Sequence, residues 1–399
     1  MNSSQTVRQS SRRVGGSPRI WLLPPVLLRG IGETLEGAVV LSESPGDLGF
    51  CLWQTARDVR LWAEVDPAHR SGLFQGGPPE LAVAGDRALR VPLTTVCAQL
   101  ANPGSADAEV LATACLRIAW RAEERRCLGT AVVFAMVASL AAPSHPGPAY
   151  EAGRLSSAWD DQVRAETWLR RAIGLARRAR DPRVYCRAAV TLGDVYAARD
   201  ELTGARSLYN LGLRASRRHG MQQARADAVL GLLRLAITAG DREAIDRLQD
   251  LAQRSFGHDH PRRPELILTL ARLWIDTGEQ QMAREALRRL VPELETDQDR
   301  MALSALLARA EVEPGTPTSI AEVWHDVWTM AEARRGARAC ERALVDLALS
   351  GIVLGNVDRV RAAFTQASPL SPRSDSLLQR DYARVEEWLA AQARWRGRA

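Results

Sequence analysis

Apolar residues in this chain recur with a helical period over most of its length, and almost nowhere with the alternation of a strand. DLGFCLWQTARDVRLWAEV (47–65) places Leu48, Cys51, Leu52, Thr55, Val59 and Trp62 on one face and predicts an amphipathic helix. A shorter helix is expected near 91–101, after the Gly-Gly-Pro-Pro loop at 76–79. SLLQRDYARVEEWLAAQARW (376–395) carries Leu377, Leu378, Tyr382, Val385 and Trp388 on a face and predicts a last helix. Residues 1–19 are polar, basic and Gly/Ser-bearing, a composition that predicts a disordered tail.

Between 106 and 370 the pattern repeats. A small position in the first helix of each unit is held by Ala119, Gly153, Gly193, Leu233, Ala271, Ala308 and Ala348, at intervals of 34, 40, 40, 38, 37 and 40 residues. An apolar residue precedes each. Twelve residues after each comes Ala131, Ala165, Ala205, Ile245, Ala283, Ile320 or Val360. Asp160, Asp200, Gly240, Gly278, Gly315 and Gly355 mark the turn between the two helices of the last six units. Small residues at one register let paired helices approach closely, and a helix pair buries its apolar face only against neighbours. The expectation is an all-α, right-handed α-solenoid of about seven helix pairs. Residues 20–105 form a helical N-terminal cap or a small domain of their own, and 371–399 a C-terminal capping helix with a basic tail.

Residues 186–215 (CRAAVTLGDVYAARDELTGARSLYNLGLRA) and 264–292 (PELILTLARLWIDTGEQQMAREALRRLVP) resemble tetratricopeptide repeats, a likeness covering about two thirds of the chain. The spacing near 40 residues and FGHDHP (256–261) resemble the longer kinesin-light-chain-like variety. Gln249 departs from that pattern, with Leu248 beside it to fill the bulky apolar place. The resemblance implies a concave groove, lined by first helices, that binds segments of other proteins.

Composition narrows the field. All 53 basic residues are Arg, so neither a P-loop lysine nor a Schiff-base lysine exists in the sequence. The net charge is +6, but residues 1–30 contribute five arginines and 391–399 three, leaving the body slightly acidic. That distribution argues against direct nucleic-acid binding. The six cysteines show no CxxC and no metal spacing, and read as buried thiols in a reducing, cytoplasmic setting. IWLLPPVLL (20–28) is broken by two prolines, and no run approaches the ~20 apolar residues of a membrane span.

No motif spells a catalyst, a cofactor site or a metal site. The H-x-H of His258 and His260 lacks a third ligand of suitable spacing. His325, between Trp324 and Trp328, reads as a helix residue rather than a base. The register does select a binding face. The residue after each small position projects inward: Trp120, Arg154, Asp194, Arg234, Arg272, Arg309 and Leu349, with Tyr150, Arg187 and Arg342 at nearby inward positions. Guanidinium groups in a column suit an acidic or mixed acidic-apolar partner segment. They equally suit ion pairs within the face, since Asp194, Asp227, Glu265 and Asp276 occupy neighbouring inward positions. The expected function is a non-catalytic adaptor or scaffold, and the alternative a peptide-gated regulator of the kind similar arrays form in bacteria.

Overall fold

Each helix-to-helix turn inside a repeat must reverse the chain in two or three residues, and the backbone does so the same way each time. In the computed structural model the amide eight residues after the small position donates to the carbonyl three residues after it: Cys127 to Ala122, Asp161 to Ser156, Glu201 to Tyr196, Asp241 to Ala236, Glu279 to Trp274 and Asn356 to Gly351. This is the bond that closes a Schellman turn, and it requires a left-handed residue just before the donor. Arg126, Asp160, Asp200, Gly240, Gly278 and Gly355 all have φ between 62° and 89°. Glycine adopts that conformation freely and aspartate with little strain. The turn column read from the sequence is therefore the left-handed column of the backbone. Its sixth-unit member, Gly315, and Ile320 lie outside the described residues, which are 38–74, 87–257, 259–294, 297–311, 324–325, 327–329, 338–367 and 376–396.

Among the described residues the regular structure is entirely helical, and the chain divides into two compact units, Met1–Val184 and Tyr185–Ala399. Unit 1 contains α1 (Ala38–Glu43), α2 (Asp47–Glu64), α3 (Arg87–Ala101), α4 (Ala108–Glu124), α5 (Leu128–Ala141), α6 (Pro146–Ala158) and α7 (Gln162–Ala179). Helix α8 (Pro182–Ala198) carries the division. Unit 2 continues with α9 (Leu202–His219), α10 (Gln222–Ala239), α11 (Arg242–Ser255), α12 (Arg263–Thr277), α13 (Gln280–Leu290), α14 (Asp297–Glu311), α15 (Arg338–Val353), α16 (Val357–Ala367) and α17 (Ser376–Arg396). Within each unit consecutive helices pack side by side, the arrangement of an all-α solenoid.

The centre of unit 1 is α5, whose sequence LGTAVVFAMVASLA has no polar face and is buried from Gly129 to Ala141. A helix apolar all round needs neighbours on every side. Helices α4 and α6 flank it, α1 and α2 pack across it, and α3 lies on α4. No side chain caps α5 from within its own sequence. Glu43 of α1 does so from a distance, its carboxylate accepting from the amides of Gly129 (2.8 Å) and Thr130 (2.7 Å). The N-terminal region thus adds a charge as well as cover to the first pair.

In unit 2 the small positions set how closely helices nest. A Cβ on Gly193 would lie 2.7 Å from the Tyr209 ring, and one on Gly231 would also fall within that ring's van der Waals surface. Tyr209 of α9 is therefore packed against glycines of α8 and α10. In the fourth unit Leu233 stands at the small position and is itself buried. Gly231, two residues earlier, makes its close approach to α9 of the preceding pair. Leu248 packs against the same core while Gln249 is half-buried.

Helix α17 extends beyond the last pair. It packs on α15 and α16, and also on α10. Leu377 belongs to the apolar cluster of α10 and α12, whereas Leu378 and Val385 join that of α14, α15 and α16.

Candidate functional site: the ion-paired face of the first helices

Residues three or four apart around the inward register share one side of a helix, so acids placed there meet the arginine column. In unit 1, Arg154 of α6 donates through Nη1 and Nη2 to the two carboxylate oxygens of Glu123 on α4, at 2.6 and 2.7 Å. Its Nε donates to Glu151 at 2.8 Å. Burial opposes the charge on Arg154, but Glu123 and Glu151 outweigh it and raise the guanidinium pKa further. Trp120 donates to Glu151 over a long 3.4 Å and keeps 42% of its surface exposed. Tyr150 is buried.

In unit 2 a second network joins α8, α10 and α12. Arg262, at the N-cap of α12, lies 2.7 Å from Glu265, 3.5 Å from Asp227 and 3.7 Å from Asp194. Arg234 donates to Glu265 at 2.9 Å, and the Tyr209 hydroxyl donates to Asp194 at 2.7 Å. Burial and then Asp194 push the Tyr209 hydroxyl well up, so it stays a donor. Burial also raises the Asp227 carboxyl, against the pull of Arg262 and His260. His260 stacks on Phe256 at 4.4 Å, with Nε2 3.9 Å from Asp227. Its sequence neighbour His258 lies outside the described residues. Arg187 of α8 is exposed.

The third network is the most buried. Asp346 of α15, fully shielded from solvent, receives Arg272 of α12 (3.1 Å), Arg309 of α14 (3.2 Å) and Arg342 of its own helix (3.5 Å). Arg309 also pairs with Asp276 of α12. Helix α17 enters here. Its Asp381, likewise fully buried, accepts from Arg342, while its Arg380 and Arg384 reach Asp276 at 2.8 and 3.1 Å. Arg272, Arg309 and Arg342 therefore form a lattice with three aspartates across α12, α14, α15 and α17.

Burial alone would raise the Asp381 carboxyl, but Arg342, Arg380 and Arg309 hold it down at about 2. A carboxyl depressed in the fold contributes stability in full above its unfolded value, near 4, and loses it as pH falls through about 2. The contribution is on the order of 2 kcal/mol. We expect wild type to exceed Asp381→Asn in unfolding free energy at pH 6 by at least this amount. That difference should shrink steadily between pH 4 and pH 2 in urea titrations. A difference independent of pH would contradict the assignment.

Of the residues singled out by register, Arg154, Asp194, Arg234, Arg272, Arg309 and Arg342 thus meet oppositely charged groups of the same unit; Trp120, which donates to Glu151, and Arg187 also keep exposed surface. The register did not single out Glu123, Glu151, Arg262, Asp346 or Asp381. The pairs Glu151–Arg154 and Arg342–Asp346 were visible as i,i+3 and i,i+4 neighbours. What such a face can do is exchange charge partners: a carboxylate or guanidinium on an incoming segment replaces an internal one with little net change in solvation. A separate cavity of about 430 Å³ is lined by Trp324, His325, Trp328, Asp358, Arg359 and Ala362, with the Arg359 guanidinium 5.5 Å from the Trp324 ring centre.

No family model matches this chain, and no curated protein matches it. Among solved structures it is similar to the TPR domain of P58(IPK), over 71% of this chain and 99% of that one, at 12% identity and a TM-score of 0.23.

Proposed function

We propose that the protein is an adaptor that binds a partner segment on the face formed by its first helices, through helix pairs of the tetratricopeptide kind. The observation that carries this reading is α17: an amphipathic helix docked on first helices of unit 2 by two leucines, a valine and a set of Arg–Asp pairs. A surface that accepts one helix of this chemistry is suited to helix-in-groove recognition. The repeated turns support it, since each reverses the chain between the two helices of a pair in the same way. An acidic or mixed acidic-apolar segment fits the guanidinium-rich lining best. We place the protein in a reducing cytoplasm, which its six free thiols support. Burial pushes the Cys115 thiol up to about 12 and is the chief reason Cys97 stands at about 11, so neither is an activated nucleophile. No described helix is long and apolar enough to cross a membrane.

The test uses the two inward residues with exposed surface. Affinity capture from the native extract with wild type should retain a partner that Trp120→Ala/Arg187→Glu loses at least tenfold, with helix content unchanged by circular dichroism. Identical partner sets for both proteins would refute the proposal.

A further inference from the structure

Helix α17 meets the unit through apolar residues and a charge pattern on one face. Like α15, which buries Asp346 among arginines, it buries a carboxylate as well as an apolar stripe. In α17 the residue between the two buried leucines and the buried valine is Asp381, a charge set among arginines. Buried ion pairs of this sort add little net stability against an apolar alternative, but they penalise wrong partners severely. They are a means of selecting what docks. In sequence, residues 368–375 between α16 and α17 read SPLSPRSD, with two prolines and three serines.

We propose that α17 is a displaceable occupant of the face lined by α10, α12, α14 and α15, and that the external partner is an amphipathic helix repeating its chemistry. That helix carries two adjacent leucines, a carboxylate three residues after the second, an apolar residue four further on, and basic residues flanking the carboxylate. The carboxylate meets Arg342, and the flanking basic residues meet Asp276. Both ends of the charge pattern must match, so a helix with a basic residue in place of Asp381 is excluded. This inference rests on the proposed function and adds to it the partner's chemistry and a competition within the chain. A helix tethered by a short linker acts at an effective concentration of roughly 1 mM, so an external helix competes poorly until α17 is released.

The probe is a fluorescent synthetic peptide of residues 376–396, titrated into two full-length proteins, wild type and Leu378→Asp/Asp381→Arg, whose own α17 is disfavoured. The double variant should bind the peptide at least tenfold more tightly than wild type does, and a peptide with Asp381→Arg should bind neither. Absence of binding to the double variant up to about 1 mM, with helix content intact, overturns the proposal. So does a wild-type dimer in light scattering that exchanges α17 between two copies, because the occupant is then a second copy of the chain. If the double variant does not fold, amide hydrogen exchange on wild type decides. Amides of α17 should then exchange at least tenfold faster than those of α10, α12 and α15, and equal protection overturns the inference. A negative peptide result with partner capture still dependent on Trp120 and Arg187 removes α17 exchange and leaves the adaptor reading in place. Loss of that dependence with peptide binding intact does the reverse.

Discussion

Replacing Asp346 with alanine should destabilise unit 2 by about 3–5 kcal/mol, the loss expected when one member of a buried ionic cluster is removed and its partners stay behind. Asp346 is fully buried and sits within 3.5 Å of guanidinium nitrogens from Arg272, Arg309 and Arg342. Arg309 is itself 5% exposed, so water cannot take over the lost interaction without opening the packing of α14 on α15. Asp346→Asn, which preserves shape, should recover only part of the loss, because an amide answers three cations poorly. Urea unfolding followed by circular dichroism measures both. A loss under 1 kcal/mol for Asp346→Ala would mean that the arginines find solvent.

The second large effect concerns the Tyr209 ring between two glycines. Gly231→Ala should cost about 1–3 kcal/mol by overpacking, because the added methyl has no room against the ring. Gly193→Ala presses on the same ring from α8. The two losses should therefore fail to add, since movement of the ring forced by one methyl changes the room left for the other. Tyr209→Leu should suppress most of the penalty of either, at its own expense of the hydrogen bond to Asp194. A double-mutant cycle on unfolding free energy reads the coupling. Simple additivity of the two glycine substitutions would show that the ring is not the shared obstacle.

These two sites also show what the sequence made legible. The turns and small positions could be read because backbone geometry imposes them: left-handed φ selects Gly or Asp, and close crossing selects Gly or Ala, whatever the partner. Arg126 has the left-handed conformation without the expected residue, so that turn was recognisable only by spacing. Leu233 breaks the small-residue column in the fourth unit, and the close approach of Gly231 to α9 of the preceding pair lies outside that column. The inward face was legible as a set of arginines and acids, but their pairing was not. Arg272 and Asp346 are 74 residues apart, and which acid an arginine reaches depends on how far one helix leans over the next. The reach of α17 to α10 was invisible for the same reason. Its amphipathic pattern states that one face is buried and says nothing of where.

The most direct measurement of the central claim is site-specific photo-crosslinking in the native cell, with the crosslinker placed in turn at Trp120, Arg187, Val163 and Met282. The first two are positions that the repeat register assigns to the inward side of first helices. The others are exposed residues of the second helices α7 and α13. The account predicts that a partner is captured from positions 120 and 187 and that positions 163 and 282 give background only. Capture from 163 or 282 with none from 120 and 187 would contradict it.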